Sequence, residues 1–553
     1  MITNKVFRSF AKSIFILLAS FNTTLAQVNI NTMGLGEIHG NFQANAQYYI
    51  PDSTIGAANV PEKMLFNGFA NILYTKGKFT AGLRYESYLN ALQGYPTGYK
   101  GTGIPYRFIT YRSDFLEITA GSFYEQFGNG LILRTYEERN LGLDNALDGV
   151  RIKAEPIKGI YVKGLIGKQR SFFSQGPGLV RGFDGEIQFN ELFAKLTDKK
   201  LIFGLGGGFV SKYQEDQDPT LVLPQNVGST AVRFNLSRNN FSLNGEYAYK
   251  INDPSLDNNF IYKSGDAVLL QALYATKGFA FLLSASRIDN MSFRSDRNAQ
   301  LTNLLINYIP ALNKQHTYSL LTFYPYASQS KGEMEFSSEV KYKFQKGSTL
   351  GGQYGTEILI NYSGSNGLDT THLNPTEDTG KKGYTSKYIS FDGAVYFRDL
   401  YVEINKKFNK RWKSTVAHTY QVYNKDVIQK PGTGTIYTNI TVLDISYKMN
   451  KGALRMEAQH LATKQDQQNW AYLLLEYTIN TNWYVAAGDQ YNYGNDHVNE
   501  RYHYYNLSAG FIKEANRIEL SYGKQRAGVF CVGGVCRNVP ASNGVTLTIS
   551  SSF

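Results

Sequence analysis

The stretch EIHGNFQANAQYY, Glu37 to Tyr49, reads as two sequences laid through each other. Its odd positions carry Glu37, His39, Asn41, Gln43, Asn45 and Gln47; its even positions carry Ile38, Gly40, Phe42, Ala44, Ala46 and Tyr48. Successive side chains of a strand point to opposite faces, so a period of two gives one wet face and one apolar face. What decides the fold is the medium that the apolar face meets, a protein core or lipid.

The pattern recurs to the end of the chain. Phe79, Ala81, Leu83 and Tyr85 alternate with Thr80, Gly82, Arg84 and Glu86. Val150, Ile152 and Ala154 alternate with Arg151, Lys153 and Glu155, and Ile518, Leu520 and Tyr522 with Arg517, Glu519 and Ser521. TNITVLDISY from Thr438 departs from the rule and calls for a bulge or a partly apolar inner face. The composition agrees: 41 Tyr, 34 Phe and 52 Gly against 14 Pro favour strands and tight turns. No apolar run reaches the roughly 18 residues that a membrane-spanning helix needs.

Short connections alternate with long ones. Lys76-Gly77-Lys78, Arg112-Ser113-Asp114, Pro156 to Gly159, Asn409-Lys410-Arg411 and Asn450-Lys451-Gly452 are short; Pro51 to Lys63, Asn90 to Ile104, Phe127 to Asp148, Glu215 to Gln225 and Ser363 to Arg398 are long and polar. Outer-membrane barrels are built this way, with periplasmic turns and extracellular loops. The alternation predicts an all-β transmembrane antiparallel β-barrel of the outer-membrane type with about 26 strands, in a range of 22–26. That count takes Gln300 to Pro310 as a strand and places YISFDGAVYF, from Tyr388, in a loop hairpin. GVTLTISSSF ends the chain on an alternating strand and an aromatic residue, Phe553, resembling the terminal strand of outer-membrane barrels. Closure follows from the solvent, because hydrocarbon offers no partner to the unpaired edges of an open sheet.

The N-terminus reads as a signal peptide. Lys5, Arg8 and Lys12 precede the apolar core Ile14 to Ala19, and Thr24-Leu25-Ala26 gives small residues before a cut at Gln27. Residues 1–26 are therefore expected to be removed, 27–36 to form a short tail, and 37–553 to form one barrel in the Gram-negative cell outer membrane. Loss of the leader lowers the net charge to about +9. The basic residues sit singly and often in turns, which excludes a nucleic-acid patch. A barrel pattern beginning at Glu37 leaves no separate plug domain at the N-terminus. A wide barrel is then filled by its own loops, left open, or occupied by another protein.

GEIHGNFQANAQYY, PEKMLFNGFAN, AGLRYESYLNAL, YKGTGIPYRF, SFYEQFGNGLILRTYEERNLGLDNALDGVRIK and CVGGVCRNVPASNGVTLTISSSF resemble a family of outer-membrane barrel proteins from Bacteroidota. The resemblance covers essentially the whole mature chain. It implies the barrel fold and carries no activity.

The densest charge constellation is Arg134, Glu137, Glu138, Arg139, Asp144, Asp148 and Arg151. A loop of this length holding paired charges beside Leu131, Ile132, Leu133, Leu141, Leu143 and Leu147 is expected to fold into the lumen. Arg–carboxylate bridges would pack it on the wall, as a constriction or as a structural brace. Arg84, Glu86, Arg151, Lys153, Glu155, Arg455, Glu457, Arg517 and Glu519 form inward Arg-x-Glu pairs that could build a charge ladder. In CVGGVC, Gly533-Gly534 suits a two-residue hairpin turn, which sets Cys531 opposite Cys536 within disulfide range. The seven histidines are scattered; NDHVNERYH sets Asp496, His497, Glu500 and His503 in one loop, a weak metal pattern read as a solvated loop, and EDQDP lacks the glycine and spacing of a calcium loop. No phosphate loop, HExxH or GxSxG occurs. No enzyme activity, metal or cofactor is expected. The leading expectation is a porin-like channel or transporter for polar solutes, its lumen narrowed by loop 127–148. The competing one is a non-enzymatic barrel subunit of a secretion, motility or protein-insertion complex that docks other envelope proteins. Lipid is the common partner of both.

Overall fold

A computed structural model describes residues 34, 36–193, 195–196, 200–375, 377–390 and 392–553. The leader 1–26 and nearly all of the tail 27–36 lie outside the described residues.

Twenty-four strands form one antiparallel sheet, each pairing with the next in sequence. The barrel closes where the first strand, β1 (Glu37–Tyr49), pairs with the last, β24 (Ser542–Ser552), from Asn41 opposite Ser552 to Tyr49 opposite Gly544. Gly40 and Phe553 exchange both backbone hydrogen bonds across this seam, each 2.9 Å. The Phe553 ring lies over Gly40, where any Cβ would collide with it. Among the described residues the barrel sheet leaves no strand edge open, so it satisfies its own backbone within a bilayer.

The outward rows are apolar. Leu83, Ile109, Val150, Ile152, Ile166, Phe183, Leu270, Ile360 and Leu520 all point away from the lumen and are exposed. The end carrying the tight turns has a ring of aromatic pairs, Phe79–Tyr111, Tyr274–Phe279, Trp412–Tyr447 and Trp483–Phe511, which is how a barrel marks a membrane interface. The even face of the opening stretch therefore meets lipid.

The strand count falls inside the expected range, but two assignments change. Gln300 to Pro310 forms no strand; it belongs to a 42-residue crossing between Phe279–Asp289 and Gly332–Phe344 that runs inside the barrel. Within YISFDGAVYF, Val395 to Phe397 open a wall strand (Val395–Lys407). The loop hairpin is instead Thr370–His372 paired with Tyr384–Ser386. TNITVLDISY pairs with both neighbours in unbroken register. It has no bulge, and Ile440 and Val442 point inward, fully buried.

That inner apolar face reflects a lumen in two storeys. Along Thr435–Lys448 the inward residues nearer the loop end, Ile436, Thr438, Ile440 and Val442, are buried, whereas Asp444, Ser446 and Lys448 nearer the turn end are not. The expected hydrated interior occupies the turn half, and the loop half is dry and packed.

Candidate functional site

Three segments entering from the loop end fill the dry half. The first, residues 124–146, turns on Gly128 and Gly130, both in the left-handed region at φ 52° and 95°. A Cβ at Gly128 would lie 2.5 Å from the Glu246 carboxylate. Only glycine lets the backbone approach so closely that Asn129 donates to Glu246 from both its N–H, at 2.6 Å, and its side-chain amide, at 2.8 Å. Leu131, Ile132 and Leu133 then pack, with no exposure, against inward wall residues Val180, Val210 and Leu269.

The second segment is the 290–331 crossing. It joins the first as a strand-like strip: Arg134 N–H donates to Ile306 O, at 2.8 Å, and Tyr308 N–H to Gly130 O, at 2.9 Å. The Asn307 amide spans Met291 O and Leu131 O. Farther along, Leu320, Leu321, Phe323, Tyr324 and Tyr326 pack against Tyr401, Tyr423, Ile440, Val442 and Trp470 of the opposite wall. Polar contacts fix the path there: His316 to Asp399 at 2.5 Å, and Leu320 N–H to Gln459 at 2.8 Å.

The third segment is the hairpin Gly528–Val532 and Val535–Val539. Gly533 and Gly534 take φ 57° and 84° at its tip, Cys531 stands opposite Cys536, and the two form a disulfide. The tip lands on the crossing, where Tyr308 Oη donates to Gly533 O, at 2.6 Å, and Ser328 N–H to Gly534 O, at 3.1 Å.

The charged residues singled out in the sequence divide by location. Arg84, Glu86, Glu137, Asp144 and Arg139 meet in one knot that also contains Arg170, which the sequence reading missed. Arg84 pairs with Glu86 at 2.8 Å, with Glu137 at 2.7 Å and with Asp144, while Arg170 bridges Glu86 and Asp144 at 2.5 Å each. Arg139 pairs with Glu137 and lies over the Phe69 ring. The side chains of Arg84, Glu86, Asp144 and Arg170 are each at most 4% exposed. Glu138 accepts from Asn140 N–H and caps a short 3-10 turn.

Arg134 has no carboxylate partner among the described residues. Its guanidinium lies between the rings of Tyr136 and Tyr308, 4.7 and 4.1 Å from their centroids, so it holds the inserts together by cation–π contact. Arg151 reaches Glu117 at 2.6 Å and Glu125 at 3.5 Å; Lys153 and Lys163 each sit 2.9 Å from Glu125. Burial pushes the Glu125 carboxyl up, but Lys163 and Lys153 outweigh it and hold the group below the usual range. Asp148 is outside the lumen. It shares the lipid-facing row of Val150 and Ile152, where it pairs with Arg107 at 3.1 Å.

The inward pairs do not join into one ladder. Arg84 and Glu86 are sealed in the knot, and the Glu155 carboxylate accepts from Gly159 N–H at the turn. Arg455 with Asp444, and Arg517 with Glu519, face the wetter half. One transverse row does cross four strands, Lys413–Ser446–Arg455–Glu476, each residue directly opposite the next. Also unforeseen are Glu333 and Glu335, buried on one inward face with no cation at ion-pair distance among the described residues. No group of residues suited to a metal occurs among the described residues.

A closed barrel with apolar walls outside and its own loops packed inside defines a transmembrane β-barrel of the outer-membrane type. The chain belongs to the family of unknown function DUF6029, whose profile matches residues 10–553. No curated protein matches it. Among solved structures it is similar to a mutant of the ferric enterobactin receptor PfeA from Pseudomonas aeruginosa, at 12% identity over 94% of this chain and 81% of that one, TM-score 0.42. It is also similar to the siderophore receptor PirA of the same organism, at 9% identity over 94% and 80%, TM-score 0.42. OccAB1 of Acinetobacter baumannii matches at 9% identity over 93% and 96%, TM-score 0.31.

Proposed function

We propose that the protein is an outer-membrane channel or transporter for polar solutes, exported behind residues 1–26, whose resting state is closed from the outside by its own inserts. The observation that carries this reading is the split lumen. The turn half keeps hydrated charges, with the Arg517 side chain 51% and Lys153 36% exposed, beneath a plug made of separate segments rather than of the wall. Residues 124–146 and 290–331 form the constriction. Solute passage requires them to part, because Leu131, Ile132, Leu133, Leu320, Leu321 and Phe323 are buried in the packing between these segments and the wall.

Planar-bilayer recording tests it. The native protein is expected to conduct little, and replacing 290–331 by a short Gly-Ser connection should give a large, stable conductance. The same packing favours a second reading, a sealed barrel subunit that docks envelope partners. A shortened variant that remains silent, together with stoichiometric co-purification of other envelope proteins, would select that reading.

A further inference from the structure

The outer wall carries charges where lipid is expected. Arg107, Lys168 and Arg181 stand on the lipid-facing rows of the strands Gly101–Arg112, Ile160–Ser171 and Ser174–Gln188, the last two adjacent and the first linked to them across two strands through Asp148, just on the loop side of exposed Val150, Ile152, Ile166 and Phe183. Lys168 lies directly opposite Asp148 on one side and Leu179 on the other, and Arg181 lies opposite Ile166, one pair nearer the turn end. Asp148, the carboxylate of this cluster, is engaged by Arg107 at 3.1 Å and Gln175 at 2.8 Å. Lys168 and Arg181 have no carboxylate partner among the described residues. Outward-facing Lys and Arg are destabilising at mid-bilayer and nearly neutral near the interfaces. This cluster therefore marks headgroup level, and its surplus cations need anions.

Beside Arg181 a cavity of about 380 Å³ opens on the same outer surface. Phe209, Tyr249 and Ile251 wall it, Gly228 and Thr230 form its floor, and Arg181 with Ser211 and Asn226 stands at its rim. Arg181 donates to Asn226 at 2.7 Å, while its Nε is buried with no partner. The Phe209 ring covers Gly228, which has no side chain to raise the floor. A cationic rim above an apolar trough matches a phosphorylated headgroup with an acyl chain.

We infer that Arg107, Lys168 and Arg181, with the trough beside them, form a binding site for a phosphorylated glycolipid of the outer leaflet. The inference rests on the reading that the loop end faces outward. Native mass spectrometry of the detergent-solubilised full chain, with added diphosphoryl lipid A, tests it. The R107Q/K168Q/R181Q variant should lose lipid A adducts at least tenfold. T230W, which fills the trough and leaves the cations, should also lose them; K158Q, at the turn end, should not. Circular dichroism confirms that each variant keeps its barrel. Equal adducts in the triple variant, or equal binding of phosphatidylcholine, would overturn the site. Competition by millimolar inorganic phosphate would reduce it to a simple anion site and overturn the lipid assignment. Binding of phosphatidylglycerol but not lipid A would overturn the outward orientation on which it rests.

Discussion

Tyr308 Oη donates a hydrogen bond to the carbonyl oxygen of Gly533, 2.6 Å away, tying the hairpin that precedes the last strand to the crossing that fills the lumen. On its other side the Tyr308 ring carries the Arg134 guanidinium, so one side chain joins all three inserts. Gly533→Val puts a Cβ into that phenol and forces an unfavourable left-handed backbone on a β-branched residue. The hairpin is expected to lift away, raising bilayer conductance above the native level while the barrel stays folded. Unchanged conductance would remove the hairpin from the closing mechanism.

The Arg84–Arg170 knot is a stability element. Arg170→Met leaves the Glu86 and Asp144 carboxylates short of a cation in a buried site. Breaking a buried ion pair on one side costs about 3–5 kcal/mol. A lower urea midpoint in detergent, with Arg107→Met nearly neutral on the exposed outer wall, is the expected result.

Glu125 gives a pH dependence of known sign. Its folded pKa lies below the ordinary glutamate value, so its contribution is complete above about pH 4.3 and is lost as pH falls through the folded value. Glu125→Gln should melt earlier than the native protein at pH 7, and the difference should shrink at acid pH. A gap that stays constant across that window would assign its effect to packing.

Glu335 accepts from Ser286 at 3.2 Å and from Leu312 N–H at 3.3 Å. Gln at this position keeps an accepting oxygen and is neutral at any pH, whereas a fully buried acid with no cation beside it makes folding costly above the ordinary carboxylate range. Glu335→Gln is expected to raise the melting temperature at pH 8 and to slow hydrogen exchange in 290–331. A lower melting temperature would mean that the charge itself holds the crossing.

Much of the barrel was legible because strand periodicity is local. Ile38, Phe42 and Tyr48 announce a lipid-facing row without reference to any other strand, and Gly533-Gly534 announces a turn from two residues. An inward course for loop 127–148 was expected from apolar Leu131 to Leu133 amid paired charges; the segment that runs inside is 124–146, and Asp148 stands on the outer wall. The crossing 290–331 was misread in part because LTNLLINYIP is apolar enough for a wall strand. What distinguishes it is the lack of alternation and the proline at 310, which removes a ladder donor. Arg170 gave no signal; its partners Glu86 and Asp144 are distant in sequence.

The sequence by itself determined the class of fold, the sidedness of its strands and the disulfide hairpin, because each depends on neighbours one to five residues away in a known solvent. Tertiary structure alone decided that the inside is half dry and that Arg134 stacks on tyrosines rather than pairing with carboxylates. Those outcomes depend on which distant segments share the lumen, and an inward apolar residue reads the same in one chain whether its neighbour is water or Leu320.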